Sequence, residues 1–209
     1  MANSATQAKR AHRNLAAFLL LFIAVHFATH FTTLGGIERH GIALGWARAV
    51  YQFPLIEIAL VLALAAQVML GLRLLATITK RKRKGFWHRV QFVSACYLAY
   101  FIVAHTAAAL VTRLGFGLDT NFYWASATLL IEPIKYGFAP YYVLAVTAFV
   151  SHLVAALHFR GPRSLHGYAL VAGPIVGIVF VLGYGGAFAS IDLPQEYRDF
   201  YASFPGVTG

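Results

Sequence analysis

Only seven of the 209 residues are acidic and only one is a cysteine. The lone Cys96 excludes a disulfide framework, an iron–sulfur centre and a covalently attached CxxCH haem within this chain. No nucleotide-binding motif is present, and no internal repeat marks a solenoid or an inverted-repeat transporter. Charge is also scarce: 11% of the residues are charged against 59% hydrophobic, with a mean hydropathy of +0.66. That balance excludes an ordinary soluble domain and describes a membrane protein.

Five apolar runs are long enough to cross a bilayer as helices, which takes about 20 residues each. They cover roughly residues 15–35, 53–75, 91–112, 138–158 and 168–190, here spans 1 to 5. The expected fold is an all-α integral membrane protein, a single five-helix bundle over residues 1–209. No run reads as a cleaved signal peptide, since the first lacks a small-residue cleavage site and further spans follow it. The net charge of +10 is sorted by segment and points to topology rather than to nucleic acid. Lys9, Arg10 and Arg13, the cations from Arg73 to Arg89, and Arg160 with Arg163 all fall on one side. Six of the seven acids, all but Glu57, fall on the other. The positive-inside rule then places the N-terminus in the cytoplasm and the C-terminus outside. The run KRKRKGFWHR, residues 80–89, reads as a topology signal touching anionic lipid or as a docking surface for a cytoplasmic subunit. Residues 119–137 are too polar to span and too aromatic for a plain linker, so they are expected along the outer interface, with Tyr123 and Trp124 at headgroup level.

Ionisable groups at membrane depth need partners and are functional candidates. Span 1 carries His26 and His30 within FIAVHFATHF, span 2 Glu57 and Gln67, span 3 His105, and span 4 His152 with His158 at its end. At about 1.5 Å of rise per residue, His26 lies about 2 Å, His105 about 5 Å and His30 about 8 Å outward of the span centres. His152 lies about 6 Å inward, and Gln67 is also on the inner half. The polar groups therefore form an outer and an inner layer. Two facing imidazoles can take the axial positions of a haem iron in a bundle core, or each can hydrogen-bond a neighbouring helix. Zinc is a poor fit to the HxxxH pair, which has no third ligand beside it. Glu57, near the outer end of span 2, is a proton acceptor for a quinol or an interfacial acid paired with Arg48 or Arg113.

FIAVH around His26, LIEIALVL and QVMLG on span 2, FIVAH around His105, and YYVLAVTAFVSH ending at His152 occur in an order and spacing that resembles a known family. It is the five-helix, dihaem-type cytochrome b membrane anchor of succinate:quinone oxidoreductases and fumarate reductases, and the likeness covers nearly the whole chain. The resemblance implies that His26 and His105 ligate an outer haem b, with His30 an added residue near a propionate or the quinone. His152 matches one ligand of an inner haem, but Gln67 stands where span 2 supplies the other. A neutral amide is a poor axial ligand, so one haem b is expected. The inner one is absent, five-coordinate on His152, or ligated by another residue. The resemblance further implies a quinone, menaquinone in this family, linked to Glu57. It also implies a flavoprotein and an iron–sulfur subunit on the cytoplasmic face of the inner membrane, with Trp87 at the docking or proximal quinone surface. Two alternatives stand beside it: a standalone quinone-linked cytochrome b, and a haem-free anchor or small proton-linked transporter. Pro174, Gly177, Gly183, Gly185 and Gly186, which interrupt span 5, favour the last.

Overall fold

The computed structural model describes residues 2–79, 85–161 and 163–207. Lys80, Arg81, Lys82, Arg83 and Lys84, the heart of the basic run, lie outside them. Among the described residues all regular structure is helical: α1 Ala2–Phe31, α2 Ile37–Tyr51, α3 Pro54–Thr79, α4 Phe86–Leu110, α5 Phe122–Leu130, α6 Lys135–His158, α7 Leu165–Ala169, α8 Ala172–Tyr184 and α9 Gln195–Ala202. A 3₁₀ turn, Thr32–Gly35, follows α1, and a π-helical turn, Val111–Gly115, prolongs α4. Five stretches are long and apolar enough to cross a membrane: Thr6–Gly35, Pro54–Ala76, Phe86–Gly115, Lys135–His158 and Leu165–Tyr184.

Helix ends are written in the sequence where backbone chemistry demands it. Gly36 has a φ of 92°, a left-handed conformation that turns the chain sharply from α1 into α2. Pro54 opens α3, where its missing N–H costs nothing. Asn121 caps α5 by accepting a 2.9 Å bond from the Tyr123 amide. Two expectations are corrected. Span 1 was placed at 15–35, yet the helix starts at Ala2, because Ala, Gln, Lys and Arg extend a helix beyond its apolar part. Span 5 was placed at 168–190, yet α8 stops at Tyr184, where Gly185 and Gly186 follow.

Packing joins α1 to α3, α3 to α4, α4 to α6, α6 to α8 and α8 back to α1. The spans thus close a ring in chain order. No close backbone approach joins α1 to α4, α1 to α6 or α3 to α6 among the described residues, and only side chains reach across, as where Phe27 of α1 meets Phe149 of α6 with ring centroids 5.2 Å apart. Only 6% of the most apolar window is buried in α3 and likewise in α4, since one side faces lipid and the other a hollow. At the end of the ring that carries the acids, α2, α5 and α9 form a cap. There Trp124, Ala127, Leu193, Tyr197 and Tyr201 pack as a core, and the Tyr197 and Tyr201 hydroxyls donate to the Asp119 and Trp124 carbonyls. Residues of the segment 119–137 form the middle of this cap. Trp124 is 8% exposed and its ring turns inward, 6.2 Å from that of His105.

Candidate functional site

One cavity of about 1450 Å³ runs down the ring axis. Pockets for drug-sized ligands usually measure about 300–1,000 Å³, so this space has room for a larger group or more than one. Its walls are mostly aliphatic and aromatic, and polar side chains line it near each end: His26, His30, His105, Glu57 and Arg113 toward the acidic end, His12, Gln67 and His152 toward the basic end.

At the acidic end, His26 on α1 and His105 on α4 face each other with ring centroids 6.3 Å apart, although their helices do not touch. Two imidazoles that share one metal at about 2 Å each have centroids roughly 6 Å apart. His105 stacks on Phe101 (5.1 Å between centroids), and no protein group among the described residues hydrogen-bonds its ring, leaving its nitrogens for a ligand.

His26 belongs to a chain of hydrogen bonds whose direction can be worked out from its far end. The Thr29 carbonyl only accepts, so His40 Nδ1 donates to it (3.0 Å) and His40 Nε2 is left as an acceptor. Tyr184 O–H therefore donates to His40 Nε2 (3.2 Å), and the Tyr184 oxygen accepts from His30 Nδ1 (2.6 Å). His30 Nε2 then accepts from His26 Nε2–H (3.0 Å), and the lone pair of His26 lies on Nδ1. Burial pushes the pKa of His40 below its usual value, which keeps this end of the chain neutral. His30 is thus hydrogen-bonded to His26 and orients its ring. Metal-ligating histidines are held through the other ring nitrogen in just this way.

Glu57 sits in the first turn of α3 and pairs with Arg113, which the π-helical turn after α4 brings across to it. Arg48 is engaged elsewhere, with Asp119. At the basic end, His152 Nδ1 faces Ser94 Oγ at 3.4 Å, while Ser94 donates its only hydroxyl proton to the Gln91 carbonyl (3.2 Å). Nδ1 must donate here, so the Nε2 lone pair of His152 is free. Gln67 does not stand alone: its amide meets His12 Nε2 at 3.4 Å. His12, three residues before the expected start of span 1, is a member of the site that the sequence reading missed. The signal was there, since 14 residues separate His12 from His26, nearly four full turns, and that spacing sets both on one helix face. Trp87 does not line the cavity; it stacks on His158 with centroids 4.1 Å apart, and His166 packs edge-on nearby.

Among the described residues no three His, Cys, Asp or Glu side chains are grouped to hold a bare metal ion. A haem asks for at most two axial ligands, since its macrocycle supplies the others. The facing His26 and His105, each with a free lone pair and an aromatic or imidazole partner fixing its ring, fit that demand. The chain matches no known protein family, no curated protein and no solved structure.

Proposed function

We propose that the chain is the cytochrome b membrane anchor of a succinate dehydrogenase or fumarate reductase complex, as its sequence resemblance suggests. In that role it passes electrons between a cytoplasmic iron–sulfur subunit and a membrane quinone. The observation that carries the reading is the pair His26 and His105, set at a shared-metal separation across a cavity between helices that do not pack together. A bis-imidazole haem b, when bound, supplies reversible one-electron chemistry at a membrane-buried site. The protein's own contributions are positional. His30 fixes His26, Phe101 fixes His105, and the cap formed by α2, α5 and α9 shields the acidic end from water. Glu57, paired with Arg113 at the wall of the cavity, is the group in reach of a quinol proton there.

A reduced-minus-oxidised optical spectrum of the purified full chain, with a pyridine haemochrome count, tests the reading. Haem b at one or more per chain, with soluble flavoprotein and iron–sulfur partners co-purifying, is the expected result. Haem in a chain that purifies alone at every salt concentration would make it a standalone quinone-linked cytochrome b. A cofactor-retaining preparation without haem would overturn the cytochrome. It would favour a proton relay, for which the hydrogen-bonded chain His26, His30, Tyr184 and His40 is the specific support.

A further inference from the structure

The basic end of the central cavity is a mouth whose rim and interior differ in chemistry. The rim carries Lys9 and Arg13 on α1 and Arg160 just after α6, all three exposed and all lining the cavity. Lys9 and Arg13 are four residues apart, so they project from one helix face on successive turns. The two helices come near enough at this end for His12 of α1 to act electrostatically on His152 of α6. None of the three cations makes a side-chain hydrogen bond or ion pair among the described residues, where the ion pairs lie elsewhere. All seven acids of the chain lie at or beyond the opposite end of the ring, so the protein has no counter-charge for this rim. Cations gathered at one rim repel one another, and an anion that joins them removes that cost.

Behind the rim the walls turn to hydrocarbon. Ala16, Leu153 and Ala156 line the cavity one or two turns inward on the same two helices, and Leu72 and Leu75 line it on α3. The wall is thin at one place. Val68, Leu72 and Ala99 line both this cavity and an apolar groove of about 490 Å³ between α3 and α4, on the side where Tyr100 and Val103 are exposed. A hydrocarbon chain entering from the bilayer meets only those side chains there.

Each half of the mouth excludes a class of occupant. A free phosphate would satisfy the cations and leave the hydrocarbon behind them uncovered. A neutral apolar ligand would do the reverse. An amphiphile with an anionic head satisfies both, and basic pockets between membrane helices at the cytoplasmic surface take such head groups. The positive-inside rule assigns this end to that surface.

We infer that the basic end of the cavity binds an anionic phospholipid, with its phosphate held by Lys9, Arg13 and Arg160 and an acyl chain in the apolar space behind them. The inference goes beyond the cytochrome reading and does not rest on it, since none of these residues is a proposed haem ligand.

Native mass spectrometry of the purified, delipidated full chain tests it, with phosphatidylglycerol and phosphatidylcholine of identical acyl chains as the probes. The parent protein is expected to bind one phosphatidylglycerol more tightly than phosphatidylcholine by about tenfold or more. K9Q/R13Q/R160Q is expected to lose that preference, and K9R/R13K/R160K to keep it. R10Q/R89Q/R163Q removes as much charge from the same end of the molecule, from residues that do not line the cavity, and is expected to bind like the parent. These last two variants guard against mere misfolding. Equal retention of the two lipids by the parent would overturn the inference. So would an equal loss of preference in the two glutamine variants, the mark of general attraction to a basic surface. Displacement by inorganic phosphate at the concentrations where phosphatidylglycerol binds would overturn it in favour of a soluble anion. The haem count enters none of these readouts, so the cytochrome reading and this one fail separately.

Discussion

His26 and His30 lie one helical turn apart on α1, and the hydrogen-bond directions give them different work. His26→Ala is expected to remove the haem that His105 shares, by about one per chain in the pyridine haemochrome count, whereas His30→Ala keeps it with a shifted midpoint potential. Loss of haem in the His30 variant alone would reverse the assignment. Glu57→Gln keeps the length and most of the packing of the side chain but leaves Arg113 without its counter-charge. The expected outcome is unchanged haem content with quinol-linked turnover reduced by about tenfold or more, in line with the contribution of a positioned proton acceptor. Turnover equal to the parent's would reduce Glu57 to a structural partner of Arg113. His40 is 1% exposed and titrates in the folded state below its unfolded value of 6.5. The unfolded chain therefore binds the proton first on acidification, so the stability held at this site is complete above pH 6.5 and shrinks as pH falls through that value. The melting temperature should drop between about pH 7 and about pH 5, and His40→Gln should flatten part of that slope. Parallel slopes in the two proteins would exclude His40 as the cause.

At the scale of helices, the glycines of α8 have a structural account. Gly173 and Gly177 lie four residues apart on the face that meets α6, and an added Cβ would stand 2.9 Å from the backbone Cα of Thr147 and of Val143 respectively. This is the small-residue contact by which membrane helices approach backbone to backbone. Gly177, one of the residues that interrupt span 5 in the sequence, therefore has a packing role. Gly177→Ala, which would favour an isolated helix, is expected here to destabilise by about 1–3 kcal/mol, read as a lower melting temperature. A stabilised variant would show that the two backbones can part freely. The apolar runs were legible because hydrocarbon thickness imposes them. The ends of α1 and α8 were not, since hydropathy marks where lipid stops rather than where a helix does. α2 escaped notice because its apolar residues spread over every face, and α9 because its two buried tyrosines, Tyr197 and Tyr201, offer too short a pattern outside the spans. The same bias toward apolar residues hid His12, which sits among Lys9, Arg10 and Arg13 yet shares the face of His26.

On the scale of the molecule, a hollow ring derives less of its stability from side chains meeting at its centre than a packed bundle does. Whatever binds in the cavity and not to the unfolded chain stabilises it by mass action. Protein made under haem starvation is therefore expected to melt lower and to be cut faster by protease than protein made with haem, and adding haem is expected to restore both. Identical melting would argue that the cavity holds lipid or water alone. Four junctions of the ring join spans that follow one another along the chain, and connectivity alone keeps those neighbours close. The fifth, between α8 and α1, is made by side chains: Phe27 and Phe31 against Phe180, His30 against Tyr184, and Thr33 against Gly183. It is the one joint that can swing open without drawing a loop taut. On the proposed reading, a flat macrocycle wider than any gap between packed helices would have to pass before that joint shuts, so the seam between α8 and α1 would be the door, and cofactor supply would have a deadline set by its closing.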